Sequence, residues 1–345
     1  MFGKLLGNTN IKIILRRMLE KGRVPHSLLF VGEEGVGKRR FALELAKSFV
    51  CQNPQDFEAC DACVSCRRAG KFSFPKSDDR DAFKEVIFSE FPDIGQIAAY
   101  NKNILVDAVR DLEKEANYRP YEAKARFFIV DDADKMNDAA SNALLKTLEE
   151  PAPTTYLFLI TSRPDALLQT ILSRCQTMRF APIPASDIEN YLLETGKYAE
   201  DDAELLARLS NGSVGRALEM NLEKFRERRE TMLKVLQSLL GNENRHVLLK
   251  TAEEMNDAKN KDDYEHFLDV LQTLIHDVWS IKLGGDEFSV VNRDYKTQLK
   301  ILAERADARR LARWLAEIET MRELFAVNLN KKIATDALFM QMAAV

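Results

Sequence analysis

The sequence has few prolines, glycines and histidines and no long apolar run. It contains 10 prolines and 14 glycines in 345 residues, and neither type is concentrated in a low-complexity tract or a repeat. No stretch approaches the roughly 18 apolar residues of a membrane-spanning helix, and no apolar signal segment follows Met1. We therefore expect a cytoplasmic chain without membrane partners. The 4 histidines are scattered, which argues against a histidine-based site.

The composition is that of a globular chain with more than one domain. Apolar residues make up 46% and charged residues 30% of the sequence, and the net charge is −4. A length of 345 residues exceeds that of an ordinary domain, so two or three are expected. The slight negative charge disfavours autonomous nucleic-acid binding, although a local patch or an assembly could still contact DNA.

A glycine-rich segment, Gly32–Lys38, follows the apolar run Ser27–Val31 and precedes a helical pattern. Strand, glycine loop and helix in this order are typical of a phosphate-binding loop. The next residue should be Ser or Thr to hold Mg²⁺, but Arg39 has no lone pair for a metal. The loop thus predicts a nucleotide site unfit for hydrolysis, and a helix-capping glycine turn is the simpler alternative. The predicted site residues here are Gly32, Gly35, Gly37, Lys38 and Arg39.

A second signal is the run Phe127–Val130, which is followed by acidic residues. It predicts a buried parallel strand whose terminal carboxylates face the phosphate loop. Asp131 fits the acid that steadies Mg²⁺ in an ATPase. Asp132 replaces the expected glutamate and is one methylene shorter, so it would reach a water molecule poorly. Thr161, which ends the buried strand Thr155–Thr161, is expected to face the same site. An ordinary acidic strand end is the alternative.

Four cysteines lie close together in the sequence and predict a metal site: Cys51, Cys60, Cys63 and Cys66. Four thiolates complete a tetrahedral zinc shell at about 2.3 Å each and pin a loop too polar to fold alone. A complete shell leaves no open position, so the predicted zinc is structural. Disulfides are an alternative that a cytosolic compartment disfavours. An iron–sulfur cluster is another, but the spacings fit neither common ferredoxin run.

Four strings together resemble the AAA+ clamp-loader family: Gly32–Lys38, the cysteine segment, Asn142–Pro151 (Asn-Ala-Leu-Leu-Lys-Thr-Leu-Glu-Glu-Pro) and Thr161–Cys175, which ends in Ser-Arg-Cys. The resemblance covers about Phe2 to Leu218 and, more loosely, the remainder. It implies an α/β AAA+ domain, with a parallel sheet and flanking helices, over residues 1–181, including a zinc module at 51–66. A small helical lid over 182–221 and an all-α collar domain over 222–345 would follow.

The resemblance also implies that subunits share residues between their ATP sites. Family members form a pentameric ring with each ATP at a subunit boundary, and the arginine of Ser-Arg-Cys reaches the neighbour's ATP. Arg174 would thus be an arginine finger in trans, and a surface salt bridge is the alternative. The implied partners are gamma/tau-type ATPase subunits and a delta subunit in a hetero-pentamer. This complex opens a sliding clamp and places it on primer–template DNA during DNA replication.

Two other functions stay open at the level of sequence. An active gamma/tau-type ATPase subunit would have to tolerate Arg39 and Asp132, which match a branch of the family with degenerate hydrolysis motifs. A stand-alone zinc-bearing DNA-binding module is disfavoured by the net charge. Gly215 matches the sensor arginine of the family's ATPases, with Arg216 one residue later. These departures argue against ATP and Mg²⁺ as working cofactors, so zinc is the predicted metal and intrinsic ATPase activity should be absent or weak.

Overall fold

The computed structural model describes residues 1–241, 244–257, 263–285, 290–325 and 330–344. The predicted collar range 222–345 therefore lies partly outside the described residues. The chain divides into two compact units, Met1–Glu219 and Met220–Val345. Within the described ranges, no helix combines the length and apolarity needed to cross a bilayer.

The first unit is built on a sheet of six strands, paired in the order β2-β3-β4-β5-β1-β6. The strands are β1 Ser27–Val31, β2 Ile87–Phe88, β3 Ile94–Ile97, β4 Arg126–Val130, β5 Thr155–Thr161 and β6 Gln176–Arg179. All neighbouring pairs are parallel except β2 with β3. The predicted parallel α/β sheet is confirmed, with a short antiparallel edge strand added.

Nine helices accompany this sheet within the first unit: α1 Thr9–Glu20, α2 Lys38–Val50, α3 Val64–Ala69, α4 Val106–Ala116, α5 Asp138–Glu149, α6 Gln169–Leu172, α7 Ala185–Glu194, α8 Glu200–Leu209 and α9 Val214–Glu219. Asn137 caps the start of α5, because its Oδ1 accepts the N–H of Ala140 at 2.9 Å. This bond satisfies one of the N–H groups that a helix start leaves unpaired. The helices α7 to α9 lie in the range predicted for the lid.

Both faces of the sheet are buried, because successive side chains of a strand point to opposite sides. In β1, Leu28 and Phe30 join one apolar cluster, which also contains residues of α1 and α2. Leu29 and Val31 join a second cluster, with residues of α4 and α5. Strands covered on both faces are apolar without alternation, which is why the apolar runs of β1, β4 and β5 stand out in the sequence.

The second unit is helical in its described residues. Its α-helices are α10 Leu222–Leu240, α11 Arg245–Met255, α12 Tyr264–Lys282, α13 Lys296–Arg305, α14 Ala308–Phe325 and α15 Lys331–Ala343. Leu271, Leu274 and Val278 of α12 are fully buried. Trp314 of α14 is also buried, and its indole N–H donates to the carbonyl of Met342 at 3.1 Å. This unit therefore has an apolar core of its own.

Candidate functional site

The residues of the predicted nucleotide site lie at the carboxyl ends of three adjacent strands, β4, β5 and β1. Val31 of β1 is in register with Thr161 of β5, and Val130 of β4 is in register with Leu159. The glycine loop follows β1, Asp131 follows β4 and Thr161 ends β5. Open α/β sheets bind ligands at this edge. The predicted residues therefore share one edge of the sheet.

Lys38 is bonded to the backbone of its own loop. Its Nζ donates to the carbonyls of Gly32 at 2.6 Å and Glu33 at 2.7 Å. The residue is 6% exposed, and burial lowers the pKa of its ammonium, while Asp131 opposes this shift. Gly37 caps α2 with φ of 99°, a left-handed conformation that favours glycine. The ammonium group of Lys38 is therefore folded back onto the glycine loop that precedes α2.

Arg39, which replaces the magnesium-binding hydroxyl, has partners from several parts of the chain. Its Nε and Nη2 donate to Oε1 of Gln96 at 3.1 and 2.8 Å. Its Nε also lies 3.7 Å from Oδ2 of Asp131. The guanidinium carbon lies 5.0 Å from the ring centroid of Phe74 and 5.9 Å from that of Phe72, within cation–π range. An organic cation thus stands beside the carboxylate that holds Mg²⁺ in an ATPase.

The sequence patterns did not point to these partners of Arg39. Gln96 is a buried polar residue within β3. Phe72 and Phe74 belong to the segment 67–90, for which no role was predicted because its charged and aromatic residues lack periodicity. Phe72 pairs with Ser89 through an isolated antiparallel bridge, which places the segment beside the sheet. The segment therefore contributes two aromatic rings to the nucleotide-site region.

The two acids predicted for the degenerate nucleotide site have different environments. Burial raises the pKa of Asp131, with the charge of Asp132 adding to the rise and Arg39 opposing it. Asp132 has a φ of 52°, in the left-handed region. Its Oδ2 accepts from Nζ of Lys135 at 2.7 Å. The carboxylate of Asp132, expected to face the phosphate loop, is therefore engaged by a lysine three residues later.

Thr161 reaches the predicted edge but bonds to a residue outside the predicted set. Its Oγ1 donates to Oδ1 of Asp134 at 2.7 Å. Arg163 donates to the other oxygen of Asp134 from Nε and Nη2, at 3.0 and 2.8 Å. Burial raises the pKa of Asp134, but these hydrogen bonds lower it by more, so the pKa is below its ordinary value. The hydroxyl of Thr161 is thus already hydrogen-bonded to a carboxylate.

The start of α9 packs directly on the phosphate loop. The N–H of Gly215 donates to the carbonyl of Gly35 at 2.9 Å. A Cβ added at Gly35 would lie 2.2 Å from Oγ of Ser213, and one added at Gly215 would lie 3.0 Å from Cα of Gly35. The two backbones meet only because both positions are glycine. The position that matches the ATPase sensor arginine is therefore a close-packing site.

This contact predicts different effects of two glycine substitutions. Gly35→Ala and Gly37→Ala both place a side chain at positive φ, which costs about 1–2 kcal/mol. A Cβ at Gly37 has no atom within 4 Å, whereas at Gly35 it overlaps Ser213, which adds about 1–3 kcal/mol. We expect Gly35→Ala to lower the free energy of unfolding more, and to speed amide exchange at Gly215. Equal losses in urea unfolding and equal exchange would contradict this expectation.

The four predicted zinc ligands are brought together. The Sγ atoms of Cys51, Cys60, Cys63 and Cys66 all lie within 4.8 Å of one another. A tetrahedral zinc with bonds of about 2.3 Å requires sulfur separations of about 3.8 Å. All four cysteines have free thiols, as does Cys175. The four thiols therefore form a set that could hold one metal ion after small side-chain adjustments.

Backbone N–H groups within this segment favour the thiolate form that metals bind. The N–H groups of Cys60, Cys63 and Cys66 donate to the Sγ atoms of Cys51, Cys60 and Cys63, at 3.3, 3.3 and 3.4 Å. Burial opposes ionisation of Cys63, but the N–H bond from Cys66 and further donors outweigh it and lower the pKa of Cys63 to about 6. The donor set therefore fits a structural dication.

Arg174 lies apart from these groups, in the turn after α6. Its Nη2 is 2.6 Å from Oε1 of Glu149, and its side chain is 34% exposed. Its Nη1 donates to the carbonyl of Thr170 at 2.9 Å. Among the described residues, its polar partners are Glu149, Thr170 and Ser173. Arg174 thus has no bond to the phosphate loop of its own chain and keeps part of its guanidinium accessible.

Comparisons with known proteins agree with the clamp-loader resemblance. A family model described as DNA polymerase III, delta subunit, matches residues 7–184, and one described as its C-terminal part matches residues 223–342. DNA polymerase III subunit delta' of Bacillus subtilis (strain 168) is 32% identical over 275 residues, covering 79% of this chain and 78% of that protein. The delta' subunit of Escherichia coli (strain K12) is 29% identical over 326 residues, covering 94% of this chain and 90% of that protein.

Tau subunits also match, but over a smaller share of their own length. The tau subunit of Escherichia coli (strain K12) is 30% identical over 224 residues, which is 64% of this chain but 32% of that protein. Both delta' relatives match along most of their length, and the two family models together span the two units of the fold. The chain therefore belongs to the DNA polymerase III delta subunit family, in its delta' branch of clamp-loader proteins.

Proposed function

We propose that this chain is a largely non-hydrolysing scaffold of the bacterial clamp loader and supplies Arg174 in trans to a neighbouring gamma/tau-type ATPase subunit. Its further partners would be a delta subunit in a hetero-pentamer, the sliding clamp, and primer–template DNA contacted through the complex. The assembly would act in the cytoplasm, loading the clamp on DNA for replication. The observation that carries the proposal is the set of contacts that Arg39 makes with Gln96, Asp131 and Phe74.

Arg39 argues against hydrolysis on electrostatic grounds. A magnesium ion bridging nucleotide phosphates needs oxygen ligands, and the guanidinium offers only N–H donors. The cation also sits 3.7 Å from Asp131, so it already balances the carboxylate that would attract the metal. A second positive charge in that place would be repelled. The site is therefore poorly suited to Mg²⁺·ATP.

The remaining catalytic positions support the same conclusion. Asp132 is bonded to Lys135 and Thr161 to Asp134, so each polar group already has a partner that competes with a water molecule. Gly215 cannot supply the cation that a sensor arginine would bring to the γ-phosphate. Hydrolysis requires all of these parts to act as a unit. The domain therefore serves as a support whose own ATP chemistry is absent or weak.

The cysteine segment would strengthen this support by holding structural zinc through Cys51, Cys60, Cys63 and Cys66. The ion supplies no reaction here, because four thiolates leave no open coordination position. It would balance their negative charge and close the loop between α2 and α3. Arg68 of α3 donates to Glu122 at 2.8 Å from both Nη1 and Nη2. An ordered cysteine segment thus also anchors the chain beside β3 and β4.

Measurements on the purified chain test the non-hydrolysing role. We expect no ATP turnover above the rate of the Lys38→Ala variant, which lacks the loop cation and reports contaminating ATPase. Arg39→Thr restores a hydroxyl but should not restore turnover, since Asp132 and Thr161 keep their other partners. Phosphate release and binding of a fluorescent ATP analogue would be followed with Mg²⁺. Rapid turnover by the unsubstituted chain that is lost in Lys38→Ala would overturn the proposal.

A further inference from the structure

Arg174 is held by contacts from two helices. Its Nη2 lies 2.6 Å from Oε1 of Glu149, the last residue of α5. Its Nη1 donates to the carbonyl of Thr170 in α6 at 2.9 Å and lies 3.4 Å from Oγ of Ser173. A guanidinium has five N–H donors. These contacts therefore orient the group without using all of its hydrogen-bonding capacity.

The backbone on both sides of the Arg174–Glu149 pair is anchored. Leu148 precedes Glu149 and is 5% exposed, and Cys175 follows Arg174 and is 8% exposed. Both side chains belong to one apolar cluster, together with the fully buried Ile171 of α6. Interiors of this kind are close-packed and do not deform gradually. The attachment points of the two charged side chains are therefore fixed relative to each other.

We propose that Glu149 is a positioning residue, which holds the guanidinium of Arg174 where it can reach the phosphates of a neighbouring subunit's ATP. This inference rests on the proposed function of Arg174 as an arginine finger. A long arginine side chain loses much rotamer freedom when it is ordered. Glu149 and Thr170 order the Arg174 side chain before the neighbour's ATP binds. Less rotamer freedom of this side chain is therefore lost when the reacting complex forms.

The contact is weak enough to leave Arg174 available. The side chains of Arg174 and Glu149 are 34% and 49% exposed, and water and salt screen such pairs. The guanidinium also lies near the carboxyl end of α5, whose unpaired carbonyls add partial negative charge. A nucleotide phosphate can therefore add its own contacts while Glu149 retains the Nη2 edge. Glu149 acts on the reaction only through Arg174.

Substitution of Glu149 tests this role in the reconstituted clamp loader. Glu149→Ala is expected to lower kcat for ATP hydrolysis at the adjacent site about two- to fivefold, the range for losing an exposed ion pair, with KM for ATP nearly unchanged. Glu149→Gln keeps an acceptor oxygen, so its kcat should lie between those of Glu149→Ala and the unsubstituted complex. Glu150→Ala is the matched control, because this neighbouring carboxylate is exposed and has no ion pair among the described residues. Its kcat should equal that of the unsubstituted complex.

A double-mutant cycle separates positioning from a structural effect. In an Arg174→Ala background, single-turnover experiments should show no further loss from Glu149→Ala, since its effect passes through Arg174. The inference on Glu149 would be overturned if Glu149→Ala lowered the rate further in the Arg174→Ala background. It would also be overturned if Glu149→Ala alone left kcat unchanged or raised it. Neither result would contradict the role of Arg174 as an arginine finger. If Arg174→Ala itself leaves kcat unchanged, the proposed function fails instead. Equal complex assembly in all variants is verified by gel filtration.

Discussion

Replacing Arg174 with alanine is expected to slow ATP hydrolysis at the adjacent site of the assembled complex by about a thousandfold, the lower range for an arginine finger. The guanidinium would offset negative charge that spreads over the transferring phosphoryl group, and alanine cannot. The fold should be unaffected, because the lost ion pair is partly exposed and contributes at most about 1 kcal/mol. Turnover would be measured in complexes whose other ATP sites carry substituted phosphate-loop lysines.

The control for this experiment is a more exposed arginine outside the Ser-Arg-Cys segment. Arg110 of α4 is 67% exposed and pairs with Asp107 at 3.6 Å. Arg110→Ala removes one surface cation and one weak pair, so it should retain full turnover. Arg174→Lys should recover only part of the rate, since an ammonium lacks the planar donor pair. Full turnover by Arg174→Ala would eliminate the finger role and leave Arg174 as a surface salt bridge.

Removing zinc is expected to unfold the cysteine segment locally. Structural zinc contributes on the order of 10 kcal/mol to the folding of small zinc-dependent domains. Without it, the four clustered sulfurs would keep only N–H bonds of 3.3–3.4 Å to hold the loop. Chelation should therefore abolish hydrogen-exchange protection in residues 51–66, and about one zinc per chain should be released. Zinc should also be lost on acidification, because protons compete with the metal for the thiolates.

Two variants distinguish the metal from the alternatives. Cys63→Ser should reduce zinc content and destabilise the segment even at saturating metal. Cys175→Ala removes the remaining cysteine, which lies in the apolar cluster around β4 and β5, and should keep the full zinc content. Far less than one zinc per chain in the unsubstituted protein, with protection insensitive to chelators, would eliminate the site. Disulfides would be indicated if, without reductant, the intact mass were lower than that of the fully reduced chain by two or four hydrogen atoms.

The elements with strong local signals could be predicted closely. β1 and β5 have the predicted ends, because each is an uninterrupted apolar run bounded by glycine or by turn residues. The cap at Asn137 is also local, since its acceptor serves an N–H three residues later. The sheet edge followed from topology alone, as parallel strands place their carboxyl ends together. Local sequence patterns thus account for the strands β1 and β5 and for the start of α5.

The contacts that alter the site are non-local and could not be read from such patterns. Arg39 meets Gln96 and Phe74 only because β3 and the segment after α3 are brought beside α2. The two-residue β2 lacks any periodic run, so no sequence pattern indicates this strand. Asp132 adopts a left-handed turn and accepts a bond from Lys135, three residues later, and no periodic pattern predicts either feature. Contacts with residues distant in the sequence therefore determine the surroundings of Arg39.

The backbone contact between Gly35 and Gly215 also bears on attempts to engineer ATP hydrolysis into this chain. Under the proposed function, exchanging Arg39 for threonine restores one missing group, and an arginine at 215 would restore another. That arginine would bring a Cβ to 3.0 Å from Cα of Gly35, so one of the two backbone segments would have to shift by a few tenths of an ångström. A sensor cation at 215 and the present contact between α9 and the glycine loop therefore cannot be combined without local rearrangement.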